Sequence, residues 1–444
     1  MKPADLSDVG VAGPADPVAA GPVTTEPGSA APVTAAPVTA DPATADPVAV
    51  VHRHLIRHTA PDAAPSGRPV PVVVRQQGAR IETRDGRVLL DAASGGFGGA
   101  HPRVRAAIAD QARRVALSSR ILVSRPLAGA VAALAEFCPG PLSVSYLCNS
   151  GDEALDSAFK LAKGTHPDRP YALGIQGEDF GALSHGRSLG RGSAVLPGAP
   201  LRPRTVPAEA PEELLERVDE SVAAVLVAPA APGRPLGRLT LDWWVALRER
   251  CHRTGTLLVL DERRTAPARL GRPLGTGALG IFPDVLVMGE ALGADAVPVG
   301  VSVMTRAVYE RVYGRRNPSL HGSTFGANPL SAAAVGAVLD AVVSDDLAAR
   351  QRDFEQAALR LREELTGSAE LHADGSLLWV RTRDTGAARR LAAELAARDV
   401  LVRDPAAGLV TLTPPLTADR EDTDQMLQRL AEALKALDTE ETGR

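Results

Sequence analysis

Short apolar runs and amphipathic stretches alternate through the middle of the chain, between about residues 145 and 305. Four of the runs have the length and composition of buried strands: SVSYLC, VAAVLVAP, TLLVLDE and DVLVMGE. Between them, DEALDSAFKLAK and LDWWVALRERCHRTG carry apolar residues at helical spacing. This alternation predicts an α/β fold in which helices flank a mainly parallel sheet.

The segments on either side of this region predict a smaller α+β domain. VPVVVRQQGARIETRDGRVLLDAASG alternates like an antiparallel hairpin with a turn at Asp85-Gly86-Arg87, and an amphipathic helix begins at His101. Beyond about residue 335 come two helical stretches, the strand-like run SLLWVRTR and a PPL segment. We expect both chain ends to build the small domain, with 49–105 and 336–444 in it and 106–335 in the large domain.

Residues 1–48 have a different composition from the rest of the chain. They consist mainly of Pro, Ala, Thr, Val and Gly, with a near-repeat in PVTAAPVTADPATADPVAVV. Such a composition cannot bury enough side-chain surface to offset the entropy lost on ordering. We therefore predict a disordered arm.

Bulk composition excludes several classes of protein. The 444 residues are 45% hydrophobic, and 49 basic against 53 acidic residues give a formal charge of -4, so no basic field for nucleic acid is present. No apolar run reaches the roughly 18 residues that span a bilayer, and the first residues lack a secretory signal. We expect a cytoplasmic protein that binds neither membrane nor nucleic acid. Its three cysteines are too widely spaced for a disulfide frame or metal site, and we expect buried thiols.

Polar residues follow the predicted strands. They are Asn149 to Asp152, Asp261 and Glu290, and Ala228 stands at the corresponding place after another strand. In open α/β sheets, ligands bind beyond the carboxyl ends of the strands. These positions are therefore the candidates for a functional site.

Seven segments resemble, in order and spacing, the landmark motifs of class III aminotransferases. They are LLDAASGGFGGAHPRV, LCNSGDEALDSAFKLAK, LSHGRSLG, LLVLDERRTAPARLGR, FPDVLVMGEALGADAVPVG, LHGSTFGANPLSAAA and VTLTPPLT. The resemblance covers roughly residues 70–435. It implies fold type I, a pyridoxal-phosphate pocket, and a dimer whose two sites lie at the subunit interface.

The most consequential departure from the family pattern is at its catalytic lysine. That lysine follows the strand written here as DVLVMG, and this sequence has Glu290 there. A carboxylate cannot form the imine that pyridoxal phosphate requires and could serve only as an acid or base. The four lysines of the chain lie elsewhere, at Lys2, Lys160, Lys163 and Lys435. Covalent cofactor binding is therefore not expected.

A second departure concerns the phosphate cup, which the resemblance assigns to Ser150, Gly151 and the next residue. The family has Thr or Ser in that third place, and this chain has Asp152. A carboxylate about 4 Å from a doubly charged phosphate would cost on the order of 6 to 8 kcal/mol at an effective dielectric of about 20. That approaches the whole binding free energy of a micromolar ligand, about 8 kcal/mol. Asp152 could equally be an ordinary first-turn residue of the helix.

Further positions that contact the cofactor or substrate in the family also differ. Ser184 replaces the aromatic residue that stacks on the pyridine ring, and Ala228 replaces the Glu of a Glu-Pro strand end. Arg264 replaces the Gln that reaches the phenolic oxygen, and Thr411 replaces an Arg that holds a substrate carboxylate in some members. Cofactor binding is therefore expected to be weak or absent.

Two contacts of the family are retained. Asp261 occupies the place of the partner to the pyridine nitrogen, although it could also cap a turn. Thr324 occupies the place of the residue that reaches the neighbouring subunit's phosphate, although its segment could also serve dimer packing. His185 is a possible general base because its ordinary pKa lies near neutrality, or it packs beside Gly186.

Three interpretations remain open at this stage. The first is a pseudoenzyme that forms a homodimer or a heterodimer with an active homologue. The second is a cofactor-independent acid/base catalyst that uses Asp152, Asp261, Glu290 and His185, with Arg263 or Arg264 as an anion clamp. The third is an enzyme that holds pyridoxal or pyridoxamine phosphate noncovalently.

Overall fold

The structure, a computed structural model, describes residues 46, 48, 70–99, 101–119, 122–191, 201–314, 322–365 and 369–442. The predicted disordered arm, apart from residues 46 and 48, lies outside these ranges. The described residues from 70 onwards belong to one compact unit.

A seven-stranded sheet forms the centre of the large domain, in the order β4-β10-β9-β8-β7-β5-β6. The four apolar runs singled out in the sequence form β4, β7, β8 and β9. Strand β10 is antiparallel to both neighbours, and the other pairs are parallel. The seven strands are β4 (Leu142–Cys148), β5 (Tyr171–Ile175), β6 (Arg202–Val206), β7 (Val222–Val227), β8 (Leu257–Asp261), β9 (Val285–Met288) and β10 (Gly300–Thr305). The prediction of a mainly parallel α/β sheet is confirmed.

Helices cover the sheet and supply most of the remaining core. The large-domain helices are α1 (Pro102–Arg114), α2 (Arg125–Phe137), α3 (Gly151–Thr165), α4 (Ser184–Arg191), α5 (Leu241–Thr254), α6 (Arg306–Val312) and α7 (Pro329–Ser344). Trp244 is buried on α5, and all three cysteines are buried, as expected, and free. Burial raises the pKa of each thiol to about 12, so the thiolate form is suppressed.

Both ends of the described chain build the smaller domain. Its strands are β1 (Val73–Gln77), β2 (Arg80–Thr83), β3 (Val88–Asp91), β11 (Glu370–Asp374), β12 (Leu377–Arg381), β13 (Val400–Leu401) and β14 (Leu409–Leu412), and its helices are α8 (Leu347–Glu364), α9 (Thr385–Ala397) and α10 (Arg420–Thr442). One hydrophobic core joins Ala79 and Leu90 to residues between Phe354 and Leu437. The antiparallel pairing of β2 and β3 confirms the hairpin around Asp85-Gly86-Arg87.

The exact domain boundaries remain predictions. The proposed division between residues 335 and 336 falls inside α7, whose buried residues on both sides of that point pack in the large-domain core. Among the described residues, no helix is long and apolar enough to cross a membrane. No cluster of His, Cys, Asp or Glu in the same residues has the makings of a metal site.

Candidate active site

The carboxyl ends of β4, β7, β8 and β9 meet at one edge of the central sheet, as the sequence predicted. Ser150 caps α3 there, because its hydroxyl accepts a hydrogen bond from the Glu153 amide at 3.1 Å. Glu290 begins a short 3₁₀ helix after β9 and is exposed. Its Oε1 accepts a hydrogen bond from the Gly151 amide at 2.9 Å. The first free amide of α3 is therefore bound by a carboxylate of the chain itself.

Arg263 occupies the middle of this edge. Its Nε lies 3.0 and 3.1 Å from the two carboxylate oxygens of Asp261, and its Nη2 lies 2.8 Å from Oδ2. Nη1 donates to Asp152, and Nη2 also donates to the Asp179 carbonyl at 2.6 Å. The side chains of Arg263 and Asp261 are only 8% and 6% exposed, so their ion pair is buried.

The charges around Arg263 are mutually stabilising. Burial opposes the charge of the guanidinium, but Asp261 and Asp152 more than offset that penalty and hold the pKa of Arg263 above its ordinary value. Asp261 is thus fully engaged by a cation that belongs to the same chain.

The structure places Asp152 in the first turn of α3, with its side chain bound on both oxygens. Oδ1 accepts from Arg263, and Oδ2 accepts from the Ala182 amide at 2.8 Å. The repulsion estimated from the sequence treated this carboxylate as unpaired. Pairing with Arg263 neutralises much of its charge, so that estimate is too large for the observed arrangement.

The next arginine points outwards. Arg264 donates to the Asp179 carboxylate, and both side chains are roughly half exposed. Arg403, from the segment after β13, donates to the carbonyls of Ala93 and Ser94 at 2.6 and 3.1 Å. Burial and the neighbouring Arg264 hold the pKa of Arg403 below its ordinary value. Both acidic and basic side chains, including Asp179, Arg264 and Arg403, therefore surround the site.

A second buried ion pair fills the edge beside β7. Glu178 and Arg234 form an ion pair with both side chains 6% exposed. The pair is anchored to the backbone of Ala228, whose amide donates to Glu178 at 3.3 Å and whose carbonyl accepts from Arg234 at 2.7 Å. Burial raises the pKa of Glu178, and Arg234 opposes that shift. The space beyond Ala228 thus holds charged side chains of the chain itself.

Two predicted site residues lie on α4. Ser184 begins the helix and is exposed. His185 stacks on Phe159 of α3 with ring centroids 5.3 Å apart, and its Nδ1 lies 3.8 Å from Asp156. The contacts of His185 are therefore with a part of α3 one to two turns beyond Asp152, and they do not include Arg263, Asp261 or Glu290.

Thr324 lies in the loop before α7 and is exposed. The preceding residue, Ser323, accepts a hydrogen bond from the Asn149 side chain at 2.7 Å. The loop therefore packs against the end of β4, which leaves Thr324 and Phe325 at the surface; Phe325 is 56% exposed.

The lysines of the described residues lie away from the strand ends. Lys160 is paired with Asp156, and Lys163 donates to the Arg169 carbonyl at 3.3 Å. Both are on α3, at least nine residues beyond Gly151, which is about 13 Å along a helix. Lys435 lies on α10 in the small domain.

Sequence reasoning missed most of the internal pairs. It considered Arg263 only as an anion clamp and did not single out Glu178, Asp179, Arg234 or Arg403. One signal was available, because two consecutive arginines directly after the strand-ending Asp261-Glu262 are an unusual concentration of cations at a predicted ligand edge.

Comparisons with known proteins agree with this architecture. The solved structure of a transaminase from the marine bacterium Virgibacillus superposes with a TM-score of 0.78 at 18% identity, covering 88% of this chain and 99% of that chain. An ornithine aminotransferase from Toxoplasma gondii superposes with a TM-score of 0.76 at 25% identity, covering 88% of this chain and 94% of that chain. The fold is therefore that of fold type I aminotransferases.

Sequence relatives identify the family. A putrescine aminotransferase from Pectobacterium atrosepticum is 31% identical over 389 residues, covering 80% of each chain. An acetylornithine aminotransferase from Methanopyrus kandleri is 30% identical over 375 residues, covering 82% of this chain and 94% of the other. The family model for "Aminotransferase class-III" matches residues 63–434. The chain is therefore a member of the class III aminotransferase family.

Proposed function

We propose that this chain does not transaminate and acts as a pseudoenzyme, a partner subunit in a dimer. The observation that carries the proposal is the bridge from Arg263 to Asp261 and Asp152. A chain that binds its own cation at Asp261 has no acceptor left there for the pyridine nitrogen of pyridoxal phosphate.

The residues present do not fit the cofactor that the family uses. Imine formation needs an amine, and the short helix that follows β9 and Gly289 begins with the carboxylate Glu290. Phosphate binding needs free amides at the start of α3, and the Gly151 amide donates to Glu290. Ring binding needs Asp261, which Arg263 engages. Three separate requirements are unmet, so we derive no reaction step through pyridoxal phosphate.

An exposed apolar surface supports the subunit role. His101 and Arg103 at the start of α1 bind Asp345 at the end of α7, and the two helices pack against each other. Five large apolar residues in the segments that follow α1 and precede α7 are exposed, namely Val115 (46%), Leu117 (48%), Leu122 (62%), Val123 (86%) and Phe325 (56%). Exposed apolar side chains that gather into a patch mark an interaction surface. We propose that a subunit of the same family, either a second copy or an active homologue, covers it.

A cofactor-independent acid/base catalyst is the second candidate. The exposed carboxylate of Glu290 favours it, because Glu290 forms no ion pair with any described residue. The other proposed groups do not converge on it, since Asp152 and Asp261 are engaged by Arg263 and His185 packs on Phe159. We therefore rank this candidate, and noncovalent cofactor binding, below the pseudoenzyme.

Titration with pyridoxal phosphate tests the proposal. We expect the purified protein to show no aldimine absorption band and no borohydride-reducible adduct on any lysine peptide in a mass spectrum. A lysine-bearing class III enzyme serves as the positive control. A cofactor-modified peptide would overturn the proposal, and saturable binding without an adduct would favour the noncovalent enzyme.

Restoring the lysine alone is expected to fail. The Glu290→Lys variant still has Arg263 on Asp261 and a carboxylate at Asp152, so we expect no tight aldimine. Adding Asp152→Thr and Arg263→Val removes both obstacles and should raise cofactor affinity in the same titration. Tight aldimine formation by Glu290→Lys alone would contradict this account of the pocket.

Light scattering tests the assembly. We expect at least a dimer at micromolar concentration, and replacement of Leu122 and Val123 by Asp should weaken it, because charges at an apolar interface are costly to bury. The matched control is Val343→Asp, which is 72% exposed at the far end of α7. A monomer that also fails to pair with class III homologues would contradict the subunit role.

A further inference from the structure

We infer that Arg263 is a tethered substitute for a bound ligand: the site formed by Asp261, Asp152 and the Asp179 carbonyl is a guanidinium site, and the chain occupies it with its own side chain. The inference rests on the proposed function in one respect, since it explains how the pocket remains folded without a cofactor.

The hydrogen bonds of Arg263 use the full geometry of its head group. A guanidinium carries five N–H donors in a planar fork. Nε and Nη2 engage the Asp261 carboxylate side by side, Nη1 engages Asp152, and the second proton of Nη2 reaches the Asp179 carbonyl. Four of the five donors are thus accounted for by three acceptor groups. A lysine ammonium has only three donors and no planar fork, so it could not make the same set.

The three acceptors come from separate parts of the fold. Asp261 ends β8, Asp152 belongs to the first turn of α3, and Asp179 follows β5. One side chain therefore ties together three segments of the sheet edge. This tie compensates the buried carboxylate of Asp261, whose side chain is 6% exposed.

The guanidinium packs so closely against two neighbouring glycines that neither could carry a side chain without a clash. A Cβ added to Gly151 would lie 2.9 Å from Cδ of Arg263, and one added to Gly181 would lie 3.0 Å from Nη1 and closer still to Asp152. Gly181 also has a φ of +84°, which favours glycine. The surrounding backbone is thus shaped to fit closely around this arginine.

The adjacent Arg264 provides a contrast within the same segment. It makes its ion pair with Asp179 at the surface, where its side chain is 44% exposed. Surface ion pairs contribute little to stability, whereas removal of one partner from a buried pair is strongly destabilising. Arg263 therefore fills the site, whereas its neighbour Arg264 only forms an ion pair at the surface.

Chemical rescue tests the inference. Arg263→Ala should lower the melting temperature by about 5 to 10 °C, because it leaves Asp261 buried without a cation. Guanidinium chloride at low millimolar concentration should restore at least half of that loss, whereas equal concentrations of sodium chloride or tetramethylammonium chloride should not. The matched control, Arg264→Ala, should change the melting temperature little and show no response to guanidinium.

The outcomes separate this inference from the proposed function. An Arg263→Ala protein as stable as the native chain, or one rescued equally by all three salts, would overturn the guanidinium site without bearing on cofactor binding. A pyridoxal-phosphate adduct of the native chain would overturn the proposed function without bearing on the rescue.

A second variant keeps the inference testable if Arg263→Ala does not fold. The double variant Asp261→Asn with Arg263→Met removes both charges while keeping similar volumes. We expect it to be more stable than Arg263→Met alone, because an unpaired buried charge is absent. Equal stability of the two variants would show that Asp261 needs no cation, and the inference would be wrong.

Discussion

Two buried arginines, six residues apart, lie in two different regions of the molecule. Arg263 lies at the sheet edge that forms the candidate site. Arg269 lies at a joint where segments around Gly95, Ser376 and Pro414 meet. Arg263 at the edge binds carboxylates, chiefly those of Asp261 and Asp152. Arg269 binds neutral oxygens instead. Its partners are the Ser376 hydroxyl at 3.0 Å and the carbonyls of Pro414, Gly95 and Gly96 at 2.9, 2.7 and 3.2 Å.

The difference in partners changes the electrostatics. Burial lowers the pKa of Arg269 to about 10, since no carboxylate of the described residues binds it directly, whereas the carboxylates around Arg263 raise the pKa of that side chain. Arg269 thus donates hydrogen bonds to several segments that are distant in sequence and holds them together. Arg263 is instead the positive member of a charge cluster at the carboxyl ends of the strands, where the family resemblance predicts a cofactor pocket.

Only Arg263 is expected to influence what the pocket binds; Arg269 is expected to influence stability alone. The joint around Arg269 is needed whether or not a ligand binds, because its acceptors are three backbone carbonyls and one hydroxyl from segments far apart in the chain. The cluster around Arg263 is needed only while the site holds no other cation. Mutations should therefore affect stability at the joint and both stability and ligand response at the edge.

The largest effect is expected from Arg269→Leu. The substitution removes the donor of the Ser376 hydroxyl and of the Pro414 and Gly95 carbonyls, whereas the Gly96 carbonyl keeps the Leu416 amide as a donor. Each unsatisfied group costs about 1 to 3 kcal/mol, so we expect a loss of about 3 to 9 kcal/mol in the free energy of unfolding. Urea denaturation followed by circular dichroism measures it. Unlike Arg263→Ala, this variant should not respond to guanidinium at low millimolar concentration.

Arg272→Leu is the matched control for that measurement, since Arg272 is exposed three residues away. It should change the unfolding free energy by less than about 0.5 kcal/mol. Similar losses in both variants would show that the buried hydrogen bonds of Arg269 are not the cause.

A smaller effect is expected at the Glu178 and Arg234 pair beside β7. Arg234→Leu leaves the Glu178 carboxylate buried and unpaired, which typically costs about 3 kcal/mol. Adding Glu178→Leu should recover most of the loss, because the uncompensated charge is then removed. Denaturation of the single and double variants measures both steps.

The exposed pair of Arg238 and Glu212 supplies the control for the buried pair. Arg238→Leu should be nearly neutral, as is usual for surface ion pairs. If the double variant at 178 and 234 were no more stable than Arg234→Leu, the cost would lie in lost packing and not in the unpaired carboxylate.

Much of the fold could be predicted because its signals are local. The runs that form β4, β7, β8 and β9 are continuous and apolar, and the polar residues after them mark one sheet edge. The antiparallel insertion of β10 between β4 and β9 was not predicted specifically, since strand direction is not encoded in the apolar pattern of GVSVMT.

The site was predictable in position but not in pairing. Asp152, Asp261 and Glu290 were expected near one another, and the hydrogen bonds at this edge bring them together. Whether Arg263 or Arg264 points into the site depends on the direction of the backbone after β8. A shift of one residue would exchange the two side chains. Glu178 and Arg234 are 56 residues apart, so their pairing follows from the tertiary fold and from no local pattern.

The smallest effect is expected at the rim of the site, where Asp179 pairs with Arg264. Burial opposes ionisation there, but Arg264 and Arg263 hold the pKa of Asp179 below its ordinary value. A lowered pKa in the folded state adds stability that is complete above the unfolded pKa of about 3.9 and is lost as pH falls through the lowered folded pKa. Because both side chains are nearly half exposed, Asp179→Asn should cost less than about 1 kcal/mol at neutral pH. Thermal melts of the two proteins should therefore differ slightly at pH 7 and converge below pH 4, whereas a difference that widened in acid would mean that Asp179 is stabilised in its protonated form.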